Sequence, residues 1–215
     1  MKAIVIGATG LVGNLILKEI LNDKYFSEVR IFVRKPTGII NPKLKEIIGP
    51  MKDIIVLSSE IQGDVLFNAL GTTIKKAGSQ VEQQRIDRDL PTAFAKIASE
   101  NGVKFMLNVS SVGANLNGGF YLKTKAEMEN GTQKFFPETA FHFRPGFLVG
   151  NRKEFRLVEK IASGVMKVID PILKGSSKKY RSMPADKLAK AMVNLSKNPV
   201  GKANVLHFSE IIQCI

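Results

Sequence analysis

A single cysteine, Cys214, in a chain of 215 residues excludes an intramolecular disulfide and any cysteine-built metal site. Histidine is almost as scarce. His142 and His207 each lie in an apolar, strand-like stretch, so both read as core or strand residues and no metal centre is expected. No apolar run approaches the roughly 20 residues that a helix needs to cross a bilayer. No charged leader with an apolar stretch and a cleavage site precedes the first strand-like segment. These absences predict a cytoplasmic protein without a membrane partner. Charge of one sign is the excess: 32 Lys and Arg against 19 Asp and Glu give +13 at pH 7, with KGSSKKYR at 174–181 one concentration of it. Basic residues are not interleaved with aromatics in a nucleic-acid motif, so nucleic acid is disfavoured as a partner. A soluble basic face together with a site for a phosphorylated cofactor accounts for the charge, and a polyanionic partner is the competing reading.

What is present starts at the first residues, MKAIVIGATGLVG. Ala3 to Ile6 are continuously apolar, as in a parallel strand buried on both faces, and Leu11 to Leu21 switch to the period of an amphipathic helix. Between them stand Gly7, Gly10 and Gly13. The first permits a tight turn, the second lets backbone N–H groups approach a pyrophosphate, and the third lets helix and strand pack closely. Phosphates then sit at the positive end of the helix. At 44% hydrophobic, the chain is long enough for one well-buried domain, 1–215, and short for two.

Strand-like and helix-like segments alternate onwards, which predicts an α/β fold: a doubly wound, mostly parallel sheet of the Rossmann type, strand order 3-2-1-4-5-6-7, with helices on both faces. The second strand is Val29 to Val33. Ile54 to Leu57 looks like a strand by composition, yet too few residues separate it from the strand Asp64 to Leu70 for the chain to cross the sheet. Leu44 to Ile48 is therefore taken as the third strand and Lys52 to Glu60 as a short helix. A long helix is expected from Val81 to Asn101, kinked or truly started by Pro91. Val103 to Val109, Thr139 to Phe143 and Val205 to Phe208 complete the strands. Residues 151–200 read as a helical, substrate-side portion. In it Phe155, Leu157, Val158, Ile161, Val165 and Met166 form either a pocket wall or a core face, and Gly175-Ser176-Ser177 marks a basic loop.

The fifth strand ends in Asn108-Val109-Ser110-Ser111, at the carboxyl edge where ligands bind in such sheets. Tyr121 and Lys125 follow four residues apart, on one face of a helix. A phenol is a poor proton carrier at neutral pH, but a neighbouring ammonium stabilises its phenolate. A serine hydroxyl beside it can donate to a carbonyl oxygen as charge develops there. Ser111, Tyr121 and Lys125 are thus the candidate catalytic set. Where an acid would bind the ribose 2′-OH of NAD, the second strand ends in Arg34-Lys35, which suits a 2′-phosphate; NADP(H) is expected over NAD(H).

GATGLVG at 7–13, LGTT at 70–73, KAGSQ and DRDL between 76 and 90, NVSSVGA at 108–114, YLKTK at 121–125 and RPGFLVG at 144–150 together resemble the atypical short-chain dehydrogenase/reductases. The likeness is greatest to the Tat-interacting oxidoreductase-like and bacterial sugar-nucleotide epimerase-like subgroup. It implies that Gly7, Thr9, Gly10, Leu11 and Val12 line the pyrophosphate loop and that Leu70, Gly71 and Thr72 approach the adenosine ribose and diphosphate. Lys125 would also bind the nicotinamide ribose, Ser110 would border the cofactor, and Pro145, Gly146 and Phe147 would lie near the nicotinamide amide. Two departures stand out. Gly49-Pro50 replaces a Gly-Asp pair that can approach adenine, and Asp87 or a neighbour takes the place of a helical asparagine in a proton relay. The implied function is an NADP(H)-dependent oxidoreductase acting on a small carbonyl or alcohol, possible as a homodimer. An NADP(H)-sensing regulatory protein and a sugar-nucleotide epimerase-like enzyme are the alternatives.

Overall fold

Helices cover both faces of a seven-stranded parallel sheet in the computed structural model, which describes residues 1–150, 170–199 and 204–215. The elements run β1 (Lys2–Ile6), α1 (Leu11–Asn22), β2 (Glu28–Val33), β3 (Leu44–Ile48), a 3-10 helix at Ile54–Glu60, and β4 (Val65–Asn68). Then come α2 (Ile74–Ala77), α3 (Gln80–Gln84), a π turn at Arg85–Asp89, α4 (Leu90–Glu100), β5 (Phe105–Val109), α5 (Phe120–Gln133) and β6 (Ala140–Phe143). The chain closes with β7 (Leu148–Val149), a 3-10 helix at Gly175–Tyr180, β8 (Met183–Pro184), α6 (Ala185–Lys197), β9 (Val205–Leu206) and α7 (Phe208–Gln213). Sheet order is β3-β2-β1-β4-β5-β6-β9, the expected doubly wound arrangement with β9 as its seventh strand. The apolar segment at 54–60 is helical, as the crossing argument requires. The wall residues between 155 and 166 lie outside the described residues.

Alternation along the central strands splits the core in two. Ala3, Val5, Val65 and Phe67 face one side, with Ile16, Leu17 and Ile20 of α1 and Leu188 and Met192 of α6. Ile4, Ile6 and Leu66 face the other, with Phe94, Ala95 and Ala98 of α4. Phe67 and Phe94 are fully buried; each such side chain contributes about 1.5–3 kcal/mol on removal from water.

Three local expectations are corrected. The helix from Val81 to Asn101 is three pieces rather than one, and of the two roles expected for Pro91 it is the true start that holds, with Pro91 in the first turn of α4; it offers no N–H to the preceding turn, and the Leu90 N–H reaches back five residues to the Arg85 carbonyl. That wider turn rotates Asp87 into the interior, where it is 1% exposed. Gly175-Ser176-Ser177 is not a loop but opens the 3-10 helix, with Gly175 at φ +57°. His207 lies just past a strand of only two residues, at the start of α7. The parallel pair β7–β8 is too short to leave a sequence pattern.

Candidate active site

The carboxyl edge opens where β1 is flanked by β2 on one side and β4 on the other, the switch point of such sheets. Gly7 has φ +78°, and a Cβ there would lie 2.5 Å from the Ala69 carbonyl oxygen, so the turns after β1 and β4 touch backbone to backbone. A Cβ on Gly13 would overlap the Gly7 carbonyl, and one on Gly10 would stand 3.2 Å from it. The Gly10 N–H donates to that same oxygen at 2.9 Å. No side chain caps α1 and no acid occupies its first turn, which leaves a positive helix end at the crevice. Thr9 and Gly10 are exposed there, Leu11 is half-buried, and the Val12 side chain is in the core, leaving only its backbone for a ligand. Arg34 and Lys35 stand exposed past β2 on the same edge.

Leu70, Gly71 and Thr72 form the turn after β4, held from below. The Thr72 N–H donates to Asp87 Oδ1 at 2.8 Å and its carbonyl accepts from Gln83 Nε2 at 3.1 Å. Asp87 Oδ2 has no partner although it is buried. Burial pushes the Asp87 carboxyl above the ordinary range, while the Lys125 charge and the Thr72 N–H pull the other way. Lys125 is itself 3% exposed; its Nζ lies 3.5 Å from the Val109 carbonyl and faces Gly71, 3.9 Å from where a Cβ would stand. Tyr121, one turn earlier on α5, is 43% exposed, and its hydroxyl has no hydrogen-bond partner among the described residues.

The two serines have different surroundings. Ser110 is 4% exposed and donates to Glu129, whereas half-buried Ser111 makes only a local bond, 3.3 Å to the Val112 carbonyl. Glu129 also accepts from Arg144 Nε at 2.8 Å in a two-pronged ion pair. Asn68 Nδ2 donates to Asn108 Oδ1 at 3.0 Å, Asn108 Nδ2 lies 3.3 Å from His142 Nδ1, and His142 Nε2 lies 3.0 Å from Gln133 Oε1. Burial lowers the His142 pKa from 6.5 to about 4, keeping it neutral. Pro145 is buried and Phe147 is 42% exposed. The Val112 N–H bonds the Pro145 carbonyl at 2.9 Å, tying the serine turn to the RPGF segment. Gly150 packs on the Leu11 side chain, bringing that segment over the start of α1. Glu129, Gln133 and Arg144 were missed in the sequence, although Tyr121, Lys125, Glu129 and Gln133 recur every fourth residue and so share one stripe of α5. Among the described residues no cluster of three His, Cys, Asp or Glu is disposed to hold a metal.

Sheet order, glycine turn and open crevice define a Rossmann-type α/β protein. Solved structures share that fold: MoeE5 in complex with UDP-glucose and NAD has a TM-score of 0.71 at 15% identity, covering 97% of this chain and 76% of its own. A UDP-galactose 4-epimerase has 0.69 at 16%, covering 96% and 75%. No protein-family model matches. The protein named FMP52, mitochondrial, from Candida albicans is 36% identical over 160 residues, spanning 72% of this chain and 70% of that one. Its counterpart in Debaryomyces hansenii is 32% identical, spanning 93% and 89%. The chain belongs to the FMP52 family. That mitochondrial designation overturns the expectation of a cytoplasmic protein. Among the described residues no helix is long and apolar enough to cross a membrane, an observation that does not decide between compartments.

Proposed function

We propose that this chain is an NADP(H)-dependent oxidoreductase that acts on a small carbonyl or alcohol. The single observation that carries the reading is the crevice at the β1–β4 switch point: an uncapped helix end framed by glycines that admit no Cβ, with the Lys125 ammonium buried beside Gly71. A dinucleotide suits that cradle. Its phosphates would take the N–H groups at the start of α1, and the ribose would meet Leu70–Thr72 and Lys125. Arg34 and Lys35 would hold a 2′-phosphate by charge-assisted bonds.

A nicotinamide cofactor supplies or accepts hydride when bound. The chain's own residues do the rest. Tyr121 Oη gives or takes the substrate proton, with no competing partner among the described residues. Lys125 holds the cofactor ribose, Ser111 Oγ turns from its local bond to polarise the substrate oxygen, and Ser110 stays with Glu129 as part of the scaffold. The neighbours named as epimerases favour a second reading, epimerase-like chemistry with the same three residues, but Arg34-Lys35 favours the exchangeable phosphorylated cofactor. The names of its relatives support a mitochondrial location, which fractionation of the cells that make it tests. The functional test is NADPH oxidation over a panel of aldehydes, ketones and quinones. Turnover that disappears in Tyr121→Phe, with cofactor binding retained, supports the reading; turnover that survives the substitution refutes the role of Tyr121.

A further inference from the structure

Several cations of the surface pair with carboxylates. Arg30 meets Glu28 and Glu60, Arg85 meets Glu82, Arg88 meets Glu127, and Lys197 meets Asp23. One short stretch gathers four cations without such a pair among the described residues. Residues 171–185 hold Lys174, Lys178, Lys179 and Arg181 and no Asp or Glu; Asp170 and Asp186 flank the stretch, and Asp170 is taken up by the Ser182 N–H, which donates to its Oδ1 at 2.9 Å, and by the Ser182 hydroxyl. Among the described residues, no carboxylate lies within ion-pair distance of any of the three lysines. Lys179 Nζ instead lies 5.2 Å from the centre of the Tyr180 ring, and Arg181 is fixed by donating to the Leu173 carbonyl at 2.9 Å.

The place of this 3-10 helix is as informative as its charge. A Cβ on Gly146 would overlap the Arg181 carbonyl and come within 2.8 Å of the Tyr180 carbonyl, so the cationic turn packs on the RPGF backbone itself. The Met183 N–H bonds the Phe147 carbonyl at 2.8 Å, and the Pro145 carbonyl is bonded in turn by Val112, next to Ser111. The basic turn is thus joined to the candidate catalytic serine through one short run of backbone. Its charge acts inward as well: Lys179 and Arg144 both help to lower the pKa of His207, after burial, at the same edge of the sheet. Phe147 and Tyr180, on the two segments so joined, both have exposed aromatic side chains.

We propose that the turn at 174–181 is the anion-binding half of the substrate site, and that the substrate is an organic phosphate or diphosphate whose carbonyl end reaches Ser111 and Tyr121. The inference rests on the oxidoreductase reading for the second half of that statement. Several cations gathered on one turn attract and retain a multiply charged anion, and a single carboxylate would leave most of them unused.

The test is calorimetric titration of inorganic pyrophosphate into protein saturated with NADP⁺, so that the glycine turn is already filled. Wild type is compared with the triple variant Lys174→Glu, Lys178→Glu, Lys179→Glu and with the milder Lys178→Gln, Lys179→Gln. The expected result is one pyrophosphate bound, more weakly as salt rises, with affinity at least about tenfold lower in the triple variant and intermediate in the milder one. Cofactor affinity stays unchanged in both. Pyrophosphate that does not bind, or binds all three proteins equally, overturns the proposal. Capture of phosphatidylserine vesicles through these lysines without pyrophosphate binding assigns the turn to a membrane surface and also overturns it. If NADP⁺ itself fails to bind, the oxidoreductase reading falls, and the lysine dependence of pyrophosphate binding to the free protein still decides for or against the anion site.

Discussion

Two polar clusters stand at the same edge of the sheet and are built on opposite principles. Around β5 and β6, Asn68, Asn108, Ser110, Glu129, Gln133, His142 and Arg144 are joined into networks in which every side chain has a partner. Nearby, and among the described residues, Asp87 leaves an oxygen unbonded, Tyr121 leaves its hydroxyl unbonded, and Ser111 makes only a local side-chain contact. A satisfied buried network fixes geometry, whereas an unsatisfied buried group costs free energy that packing alone would not retain. The first cluster is scaffold; in the second Asp87 alone is both buried and unsatisfied, while exposed Tyr121 and half-buried Ser111 are the groups that the proposed function gives to a ligand.

Gly13→Ala has the largest expected effect, because its Cβ must push α1 away from the turn after β1. Dinucleotide binding falls by roughly a hundredfold or more, read by nicotinamide fluorescence, since the helix end no longer meets the crevice. Arg144→Ala attacks the scaffold instead. It leaves the Glu129 carboxylate, 6% exposed, without its cation, which lowers stability by about 3 kcal/mol in chemical denaturation. If it instead abolishes cofactor binding with no loss of stability, the division between the two clusters is wrong.

The open cluster gives the opposite sign. The Asp87 pKa is raised on folding, so its contribution is fully present below the unfolded value of 3.8 and is lost as pH rises through the folded value. Asp87→Asn cannot ionise, so it melts higher than wild type at pH 7, and the advantage closes as pH falls. His142 behaves the other way, its pKa lowered from 6.5 to about 4. Its contribution is present above pH 6.5 and lost as pH falls towards 4, a change on the order of 3 kcal/mol. His142→Gln flattens that acid limb, measured as denaturation midpoints across the window.

The sequence shows the scaffold of the fold more readily than the division just drawn. Continuous apolar strands, the glycine spacing and the Tyr121-Lys125 pair are local patterns, and the sheet order follows from crossing distances. The position of Asp87 is not local: it needs the π turn that Pro91 imposes four residues later. Ser110 and Ser111 are adjacent and chemically identical, and only the approach of Glu129 from α5 separates them. The partner of Arg144 lies 15 residues away, and β7 and β8, two residues each, leave no periodicity to read.

The most direct measurement is a fluorescence titration of the purified protein with NADPH and with NADH, repeated on Arg34→Ala. The expected result is tighter binding of NADPH, weakened about tenfold by the substitution, or roughly 1.4 kcal/mol, with NADH unaffected. Absence of binding by either nucleotide at high micromolar concentration contradicts the assignment of the crevice as a dinucleotide site.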